Sequence, residues 1–258
     1  MDMVVGIGEI GAPWLKIIST VRKTVAVDID PKKDQEKQWH GEHVDILHIC
    51  LPYSKDFVDI VVSYALKFDP EMIVVHSTVK PGTTLELHND ERLPRKTKVL
   101  FSPVRGVHMR MEFDLKRYDK FYASYRSDTG LFSQLLTDMT VTGFKASTPL
   151  VLEYAKILTD TSYYAWLIAY SMITEKITMK HHLDYDEMWM FAHQIHKHLD
   201  NRPPCGAPGM NKIYPDSKGI QGHCVLPNLD LVKEEMPELY NVIHLINADC
   251  VKRHSTDG

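Results

Sequence analysis

Residues Met3-Val4-Val5-Gly6-Ile7-Gly8-Glu9-Ile10-Gly11 form an apolar run that ends in three glycines spaced as GxGxxG. A short, uninterrupted apolar run is typical of a buried parallel strand. A helix is predicted next, from about Gly11 to Val21, and a second apolar stretch, 24–30, ends in acidic residues. The order strand, glycine turn, helix and strand predicts the first βαβ unit of a Rossmann fold.

The alternation of strands and helices continues to about residue 147. Further strands are predicted within 44–52, 72–78, 97–103, 120–125 and 141–144, and helices opening at Pro31, over about 54–68, after Gly82 and near 128–138. Such alternation predicts an α/β fold with a doubly wound, right-handed and mostly parallel sheet.

After Pro149 the pattern becomes helical throughout. No proline or glycine occurs in 150–181, where apolar residues recur at helical spacing, and two further helical stretches cover about 184–199 and 227–252. We therefore predict a Rossmann domain over 1–147 and an all-helical domain with one long central helix over 148–258. Because so small a domain hardly buries a helix of this length, we expect a homodimer packed through helix 149–181.

Composition limits the classes of partner. The 258 residues are 44% hydrophobic and carry a net charge of −4, which gives no electrostatic reason to expect nucleic acid or an anionic membrane. The first strand begins without a basic leader or a cleavage site, and no apolar stretch is long enough for a membrane span. We expect a cytoplasmic protein with a small-molecule substrate and scattered free thiols at Cys50, Cys205, Cys224 and Cys250.

The glycine turn predicts a dinucleotide site. Gly6 permits the tight turn, Gly8 allows the backbone to approach a pyrophosphate, and Gly11 lets the helix pack closely on the strand. Asp28 lies about 20 residues beyond the turn, where its carboxylate would bind the adenosine ribose and repel a 2′-phosphate, so NAD is favoured over NADP. Asp30 is the alternative ribose ligand. Other expected cofactor contacts are Glu9, Ile10, Ile29, Leu51, Pro52, Ser77 and Thr78.

Four segments of this chain resemble the UDP-glucose/GDP-mannose dehydrogenase family. The first is the glycine turn followed by Val27-Asp28-Ile29-Asp30, and the second is His76-Ser77-Thr78-Val79-Lys80-Pro81-Gly82-Thr83-Thr84, similar to STVxPGTT. The third is Glu153-Tyr154-Ala155-Lys156 followed by Asp160 and, further along the helix, Glu175, and it is similar to E-x-x-K-x-x-x-N. The fourth is Gly222-His223-Cys224-Val225-Leu226-Pro227, similar to G-G-H-C-I-P. Their order and approximate spacing agree with the family over nearly the whole chain. The resemblance implies an NAD-dependent dehydrogenase that oxidises an alcohol of a sugar-like substrate.

The resemblance also implies a mechanism. The family's cysteine, matched by Cys224, captures an aldehyde as a thiohemiacetal, a second hydride transfer gives a thioester, and water releases the acid. Lys156 matches the lysine that stabilises the oxyanion, Thr78 would hold water or substrate, and His223 would contact the substrate. A two-electron reaction, as in the similar β-hydroxyacid dehydrogenases, is the alternative, and it leaves Cys224 dispensable.

The sequence departs from the family at several positions. Val104 replaces a glutamate, Asp160 replaces the asparagine that follows the lysine, and Asn228 (or the displaced Asp230) stands where an aspartate supports hydrolysis. We keep Asp160 and Asn228 as candidate catalytic residues and expect Asp160 one helical turn from Lys156. The chain also stops about where the family's third domain would begin, so we expect either a second subunit in the site or a smaller substrate. A non-catalytic protein that keeps the NAD fold is the rival hypothesis.

Two further groups of polar residues have types that bind ligands or metals. Arg105 and His108 follow the fifth strand, at the sheet edge where ligands bind, and are candidate substrate ligands; a plain surface arginine is the equal alternative. His193 and His196 lie one helical turn apart. Since histidines are also favoured at helix C-termini, no metal site is predicted there.

Overall fold

A computed structural model describes residues 1–197, 213–221 and 224–255. The chain forms two compact units, Met1–Lys156 and Ile157–Gly258. The division falls at the C-terminal end of helix α6 (Pro149–Ala155), because α6 packs against the sheet of the first unit. The boundary predicted at 147/148 lies at the N-terminal end of the same helix.

The first unit contains a seven-stranded sheet of order β2-β1-β3-β4-β5-β6-β7. The strands are β1 (Asp2–Val5), β2 (Thr24–Val27), β3 (Ile46–Ile49), β4 (Met72–Val75), β5 (Lys98–Phe101), β6 (Lys120–Ser124) and β7 (Gly143–Lys145). The first five strands are parallel, β6 is antiparallel to β5, and β7 is parallel to β6. The predicted doubly wound, mostly parallel sheet is confirmed, and its strand order reverses between β1 and β3, the usual place for a ligand.

Helices cover both faces of this sheet. They are α1 (Gly11–Ile18), α2 (Phe57–Phe68), α3 (Thr83–Asn89), α4 (Met111–Arg117), α5 (Gly130–Asp138) and α6. Side chains alternate along each strand, so Met3 and Val5 join a core with α2 and α3, whereas Val4 joins a core that contains Trp14 and Phe132. Burial on both faces explains why the central strands read as continuous apolar runs.

Two local expectations for the first unit were wrong. No α-helix opens at Pro31: turns occupy 31–33, and only a 3₁₀ turn follows at Glu36–Gln38. Asp30 and Asp34 accept hydrogen bonds from nearby backbone N–H groups, which stabilises turns in place of a helix. Helix α1 ends at Ile18 rather than Val21, because the Ser19 and Thr20 hydroxyls bond back to carbonyls of its last turn.

The second unit is helical in the described residues. It contains α7 (Ser162–His181), α8 (Tyr185–Lys197), α9 (Val225–Asp230) and α10 (Pro237–Ser255). Its apolar core joins α7, α9 and α10 through Ala165, Met172, Leu229, Ile243 and Cys250. The expected all-helical architecture is confirmed here.

Residues 149–181 are helical as predicted, but their hydrogen bonding changes part of the way along. A π-helical segment, Lys156–Thr161, separates α6 from α7. The Thr161 hydroxyl donates to the Ile157 carbonyl at 3.2 Å, so that carbonyl is shared with a side chain. In a π-helix the backbone bonds run from i to i+5, a change of hydrogen bonding that the apolar periodicity does not predict. The expected placement of Asp160 one helical turn from Lys156 stays a prediction.

Several large apolar side chains of α7 are exposed, among them Tyr163, Tyr164, Trp166, Tyr170, Ile173 and Ile177. Exposure of this kind is what a packed partner helix would cover, and the homodimer through helix 149–181 stays a prediction. None of the helices in the described ranges combines the length and the apolarity that crossing a bilayer requires.

A buried polar network crosses the sheet of the first unit. His48 Nδ1 lies 2.9 Å from His76 Nε2, and His76 Nδ1 lies 3.1 Å from the Ser102 carbonyl oxygen. The Lys120 ammonium donates to the same carbonyl and to that of Pro103. Burial lowers the pKa of both histidines and lowers the pKa of Lys120 to about 7, since it disfavours the charged forms. The network is therefore most stable when it is uncharged.

Lys120→Met is expected to remove a pH dependence of stability. Between pH 7 and the ordinary lysine value of 10.5, the unfolded chain holds a proton on Lys120 that the folded chain has lost. As the pH rises through this interval, the free energy of unfolding of the wild type should therefore increase relative to that of Lys120→Met, by up to about 1.4 kcal/mol per pH unit. Urea unfolding at several values between pH 7 and about 9.5 measures this slope.

Lys116→Met is the matched control, because the Lys116 side chain is 55% exposed. Its unfolding curve should run parallel to that of the wild type over the same pH interval. Equal slopes for the wild type and Lys120→Met would show that Lys120 titrates normally in the folded protein.

Candidate active site

The glycine turn has the geometry of a phosphate cradle. Gly6 has φ +88°, and a Cβ on it would meet Leu51 Cδ2 at 2.9 Å. A Cβ on Gly11 would lie 1.8 Å from the Gly6 carbonyl oxygen, so only glycine permits this approach of α1 to β1. Gly8 has nothing within 4 Å of the position where a Cβ would be. Open space over Gly8, next to the first turn of α1, fits a pyrophosphate against backbone N–H groups.

Asp28 follows β2 and is fixed beside this turn. Its carboxylate accepts the Ile7 N–H at 2.5 Å and the Asp30 N–H at 2.8 Å. Burial raises the pKa of this carboxyl, but the hydrogen bonds from Asp30 and Ile7 outweigh it, so the pKa lies below its ordinary value. Asp30 instead turns its carboxylate to the Lys32 N–H. The geometry thus places an ionised Asp28, rather than Asp30, against the glycine turn.

The remaining expected cofactor residues lie at the same carboxyl edge of the sheet. Ile29 is 92% exposed after β2, Leu51 is half-buried above Gly6, and Pro52 next to it is exposed. Ser77 is buried after β4, and its Oγ has no hydrogen-bond partner among the described residues, while Thr78 is half-buried. A buried hydroxyl that lacks a partner at a ligand-binding edge fits a polar group of a bound dinucleotide.

The loop after β5 contacts the glycine turn. His108 Nδ1 pairs with the carboxylate of Glu9, inside the GxGxxG sequence. Arg105 donates to the Asp119 carbonyl at 2.7 Å and stacks 4.8 Å from the centre of the Phe121 ring. The substrate roles of Arg105 and His108 stay predictions. The contact of His108 with the turn was not foreseen, because 99 residues of sequence separate the two partners.

From the sequence, Glu153 has no assigned role beyond its place in the third motif. In the structure, its carboxylate binds the start of α3. Its carboxylate is fully buried and accepts the Gly82 N–H at 2.7 Å, the Thr84 N–H at 2.8 Å and the Thr84 hydroxyl at 2.6 Å. The negative charge therefore caps the N-terminus of α3, where the helix dipole favours it. It also ties the loop that begins at Thr78 to α6, whose next residue is Lys156.

The other candidate catalytic residues divide between the two units. Lys156 closes the first unit, and Asp160 belongs to the second. Cys224 is half-buried at the start of α9. Asn228 is buried and donates its backbone N–H to the Cys224 carbonyl at 3.1 Å. Pro227 lies in the first turn of α9, where a proline is tolerated. Gly222 and His223 lie outside the described residues.

Each unit therefore assembles its own part of the predicted site. The first unit brings the three glycines, Asp28, Leu51, Ser77 and Thr78 to one sheet edge. The second unit places Cys224 and Asn228 one helical turn apart. Of the three cysteines in the described residues, all are free thiols, as expected.

Comparison with solved structures shows a shared fold. UDP-D-ManNAc dehydrogenase from Pyrococcus horikoshii matches 97% of this chain and 69% of its own, with a TM-score of 0.78 and 15% identity. UDP-N-acetyl-mannosamine dehydrogenase Cap5O from Staphylococcus aureus matches 96% of this chain and 67% of its own, with a TM-score of 0.72 and 17% identity. Psf3, in complex with NADP+ and 2-OPP, matches 99% of this chain and 93% of its own, with a TM-score of 0.60 and 14% identity.

No protein-family model matches the sequence, and no curated protein matches it. The fold of the sugar-nucleotide dehydrogenases is thus shared at identities of 15% and 17%, where sequence comparison alone finds no relative. The fold implied by the resemblance of the four motifs is confirmed.

Glu153→Gln is expected to loosen the contact between α3 and α6. A glutamine amide has only one acceptor oxygen. If that oxygen accepts the two bonds from Thr84, the NH₂ group faces the Gly82 N–H, and the bond from Gly82 is lost. The loss of one buried, charge-assisted bond should lower the free energy of unfolding by about 1–3 kcal/mol in urea titrations.

Glu86→Gln serves as the control, because Glu86 is an exposed carboxylate in the first turn of α3. It should change stability by no more than about 0.5 kcal/mol. A Glu153→Gln variant as stable as Glu86→Gln would rule out the carboxylate as the cap of α3.

Proposed function

We propose that this chain is an NAD-dependent dehydrogenase of the UDP-glucose/GDP-mannose dehydrogenase family that oxidises a sugar-like alcohol. The observation that carries the proposal is the glycine turn with Asp28 hydrogen-bonded to the Ile7 N–H, a site shaped for the adenosine half of a dinucleotide. Structural similarity to two UDP-N-acetylmannosamine dehydrogenases over nearly the whole chain supports the choice of substrate class.

In this proposal the residues of the chain divide the work between binding and chemistry. The backbone at Gly8 and the first turn of α1 hold the pyrophosphate, and Asp28 holds the adenosine ribose. When bound, NAD accepts the hydride from the substrate carbon. Thr78 holds substrate or water through its hydroxyl, and the Lys156 ammonium stabilises negative charge on the substrate oxygen.

The second half of the proposed reaction uses the thiol of Cys224. The thiol adds across the aldehyde carbon–oxygen bond, with its proton passing to the oxygen to give a thiohemiacetal. Transfer of a second hydride from that carbon to a second NAD, with loss of the hydroxyl proton to solvent, would give a thioester. Water then breaks the carbon–sulfur bond, which releases the carboxylic acid and restores the thiol. Each alcohol thus consumes one water, gives up two hydrides and yields two NADH.

The two-electron alternative is favoured by one specific observation. The match covers 99% of this chain and 93% of Psf3, so Psf3 is about as long as this chain. In a two-electron reaction, the alcohol is oxidised only as far as the carbonyl compound. Lys156 would then stabilise the substrate oxygen, and Cys224 would have no role in catalysis. The ratio of NADH to substrate separates the two reactions.

Oxidation of a limiting alcohol is expected to yield two NADH per molecule in the wild type and no more than one in Cys224→Ser. The serine oxygen is a much weaker nucleophile, so the reaction should stop at the aldehyde or fail before it. Absorbance of NADH at the end of the reaction gives the ratio, with UDP-glucose, UDP-N-acetylmannosamine, GDP-mannose and β-hydroxy acids as substrates.

Cys205→Ser is the control for this experiment, because Cys205 belongs to none of the four motifs. It should keep the ratio of the wild type. One NADH per substrate in the wild type and in Cys224→Ser would establish the two-electron reaction. Binding of NAD without NADH formation from any of these alcohols would point to the non-catalytic protein instead.

Asp28→Asn is expected to weaken NADH binding by about 10- to 100-fold, because a charged acceptor for the ribose hydroxyls is lost. The ratio of the dissociation constants for NADPH and NADH should also decrease, because the variant lacks the carboxylate that repels a 2′-phosphate. Fluorescence titration with NADH and NADPH measures both effects. Asp30→Asn is the matched control and should bind NADH as the wild type does; a larger loss in Asp30→Asn would assign the ribose to Asp30.

A further inference from the structure

The second unit contains a cluster of side chains of metal-binding types to which the four motifs assign no role. Glu175 of α7 and Cys250 and His254 of α10 each offer one donor atom, and these atoms all lie within 4.8 Å of one another. His254 Nε2 is 3.2 Å from Glu175 Oε2. Cys250 and His254 are four residues apart on one helix face, so the backbone of α10 already sets their spacing.

Their spacing is close to what zinc requires. Metal–ligand distances of about 2.0–2.3 Å in a tetrahedral site put neighbouring donor atoms about 3.3–3.6 Å apart. The His254 and Glu175 donor atoms, 3.2 Å apart, are within about 0.1 Å of that range, and the Cys250 sulfur needs a movement of about an ångström at most. One carboxylate oxygen, one thiolate and one imidazole are also the ligand types that zinc takes in proteins.

The surroundings of the cluster are ordered by other contacts. The segment before α9 packs tightly on α10: a Cβ on Gly219 would lie 2.4 Å from Asn247 Oδ1, which accepts the Ile220 N–H at 2.7 Å. This packing brings the Asp216 carbonyl within 3.7 Å of the Cys250 sulfur. Three separate parts of the second unit therefore converge on one place in which Cys250 is fully buried.

Arg253 lies beside the cluster and is compatible with a cation there. Its guanidinium lies 3.6 Å from Glu175, 3.3 Å from Asp249 and 3.2 Å from the Met172 carbonyl. Because Asp249 and Met172 hold Arg253 independently, Glu175 can turn to a metal without leaving the arginine unpaired. A partner of this kind orients a ligating carboxylate, as the outer contacts of metal ligands commonly do.

We propose that Glu175, Cys250 and His254 bind a zinc ion or a chemically similar divalent metal, with water in the fourth position. The Cys250 thiol loses its proton to solvent as the sulfur–metal bond forms, and the neutral imidazole binds through Nε2. Three protein ligands and one open position make this a distinct site within the second unit, and its existence does not depend on the proposed oxidation.

The test uses the full chain, freed of metal by a chelator and titrated with Co²⁺. A thiolate ligand gives a charge-transfer band in the near ultraviolet, and we expect this band to saturate at one Co²⁺ per chain and to disappear when Zn²⁺ displaces the cobalt. Zn²⁺ should also raise the midpoint of thermal unfolding of the wild type, since it binds only the folded site. Cys250→Ser should lose the band, and His254→Ala should weaken binding at least about 10-fold.

Two controls separate this cluster from other metal-binding groups of the chain. Cys224→Ser and a His193→Ala/His196→Ala double variant should keep the cobalt band of the wild type. His254 is only partly buried, so His254→Ala keeps the test valid if Cys250→Ser does not fold. A wild type without a saturable band, or a band that survives both Cys250→Ser and His254→Ala, would overturn the proposal.

Discussion

The approach of Gly11 to the Gly6 carbonyl is the contact on which the first unit depends. A single Cβ at Gly11 would lie 1.8 Å from that oxygen, so the start of α1 reaches the end of β1 only because the side chain is absent. The same approach brings the Ile7 N–H to the Asp28 carboxylate and thereby connects the turn to the end of β2. Packing of the helix, the shape of the phosphate cradle and the placement of the ribose ligand thus follow from one steric condition.

A second constraint, electrostatic rather than steric, acts on the loop after β4 at the same edge of the sheet. A fully buried carboxylate is costly unless its oxygens are satisfied, and Glu153 meets this requirement with three donors from the start of α3. The bonds make the position of α6 depend on the loop that follows β4. Thr78 lies in the loop and Lys156 directly follows the helix that these bonds join.

Much of the fold could be predicted because its signals are local. Continuous apolar strands, the glycine spacing and Asp28 each lie within a few residues of the structure they specify. The failures have equally local causes: the carboxylates of Asp30 and Asp34 stabilise turns where Pro31 had indicated a helix, and the Thr161 hydroxyl accompanies a π segment that helical periodicity does not reveal. Side-chain to backbone bonds occur at both places, and hydrophobic patterning carries no information about such bonds.

The contacts that no sequence pattern indicated are those between distant residues. Glu9 and His108, Glu153 and Gly82, and the cluster of Glu175 with Cys250 and His254 are each separated by 70 or more residues along the chain. Such pairs become neighbours only through the sheet order or the packing of α7 on α10. The resemblance of the four motifs identified the candidate catalytic residues. The contacts of Glu9 with His108 and of Glu153 with Gly82 were visible only in the structure.

Val104 shows how the chain accommodates one departure from the family pattern. The side chain that replaces the glutamate is only 4% exposed and packs with Met111 and Leu115 in the core beneath α4. The apolar side chains of Met111 and Leu115 suit a valine and would not satisfy the oxygens of a carboxylate, so the substitution and this packing belong together. In the proposed oxidation, proton transfer would therefore proceed without a carboxylate at residue 104, and Thr78 and Lys156 are the candidate residues of the first unit for this role.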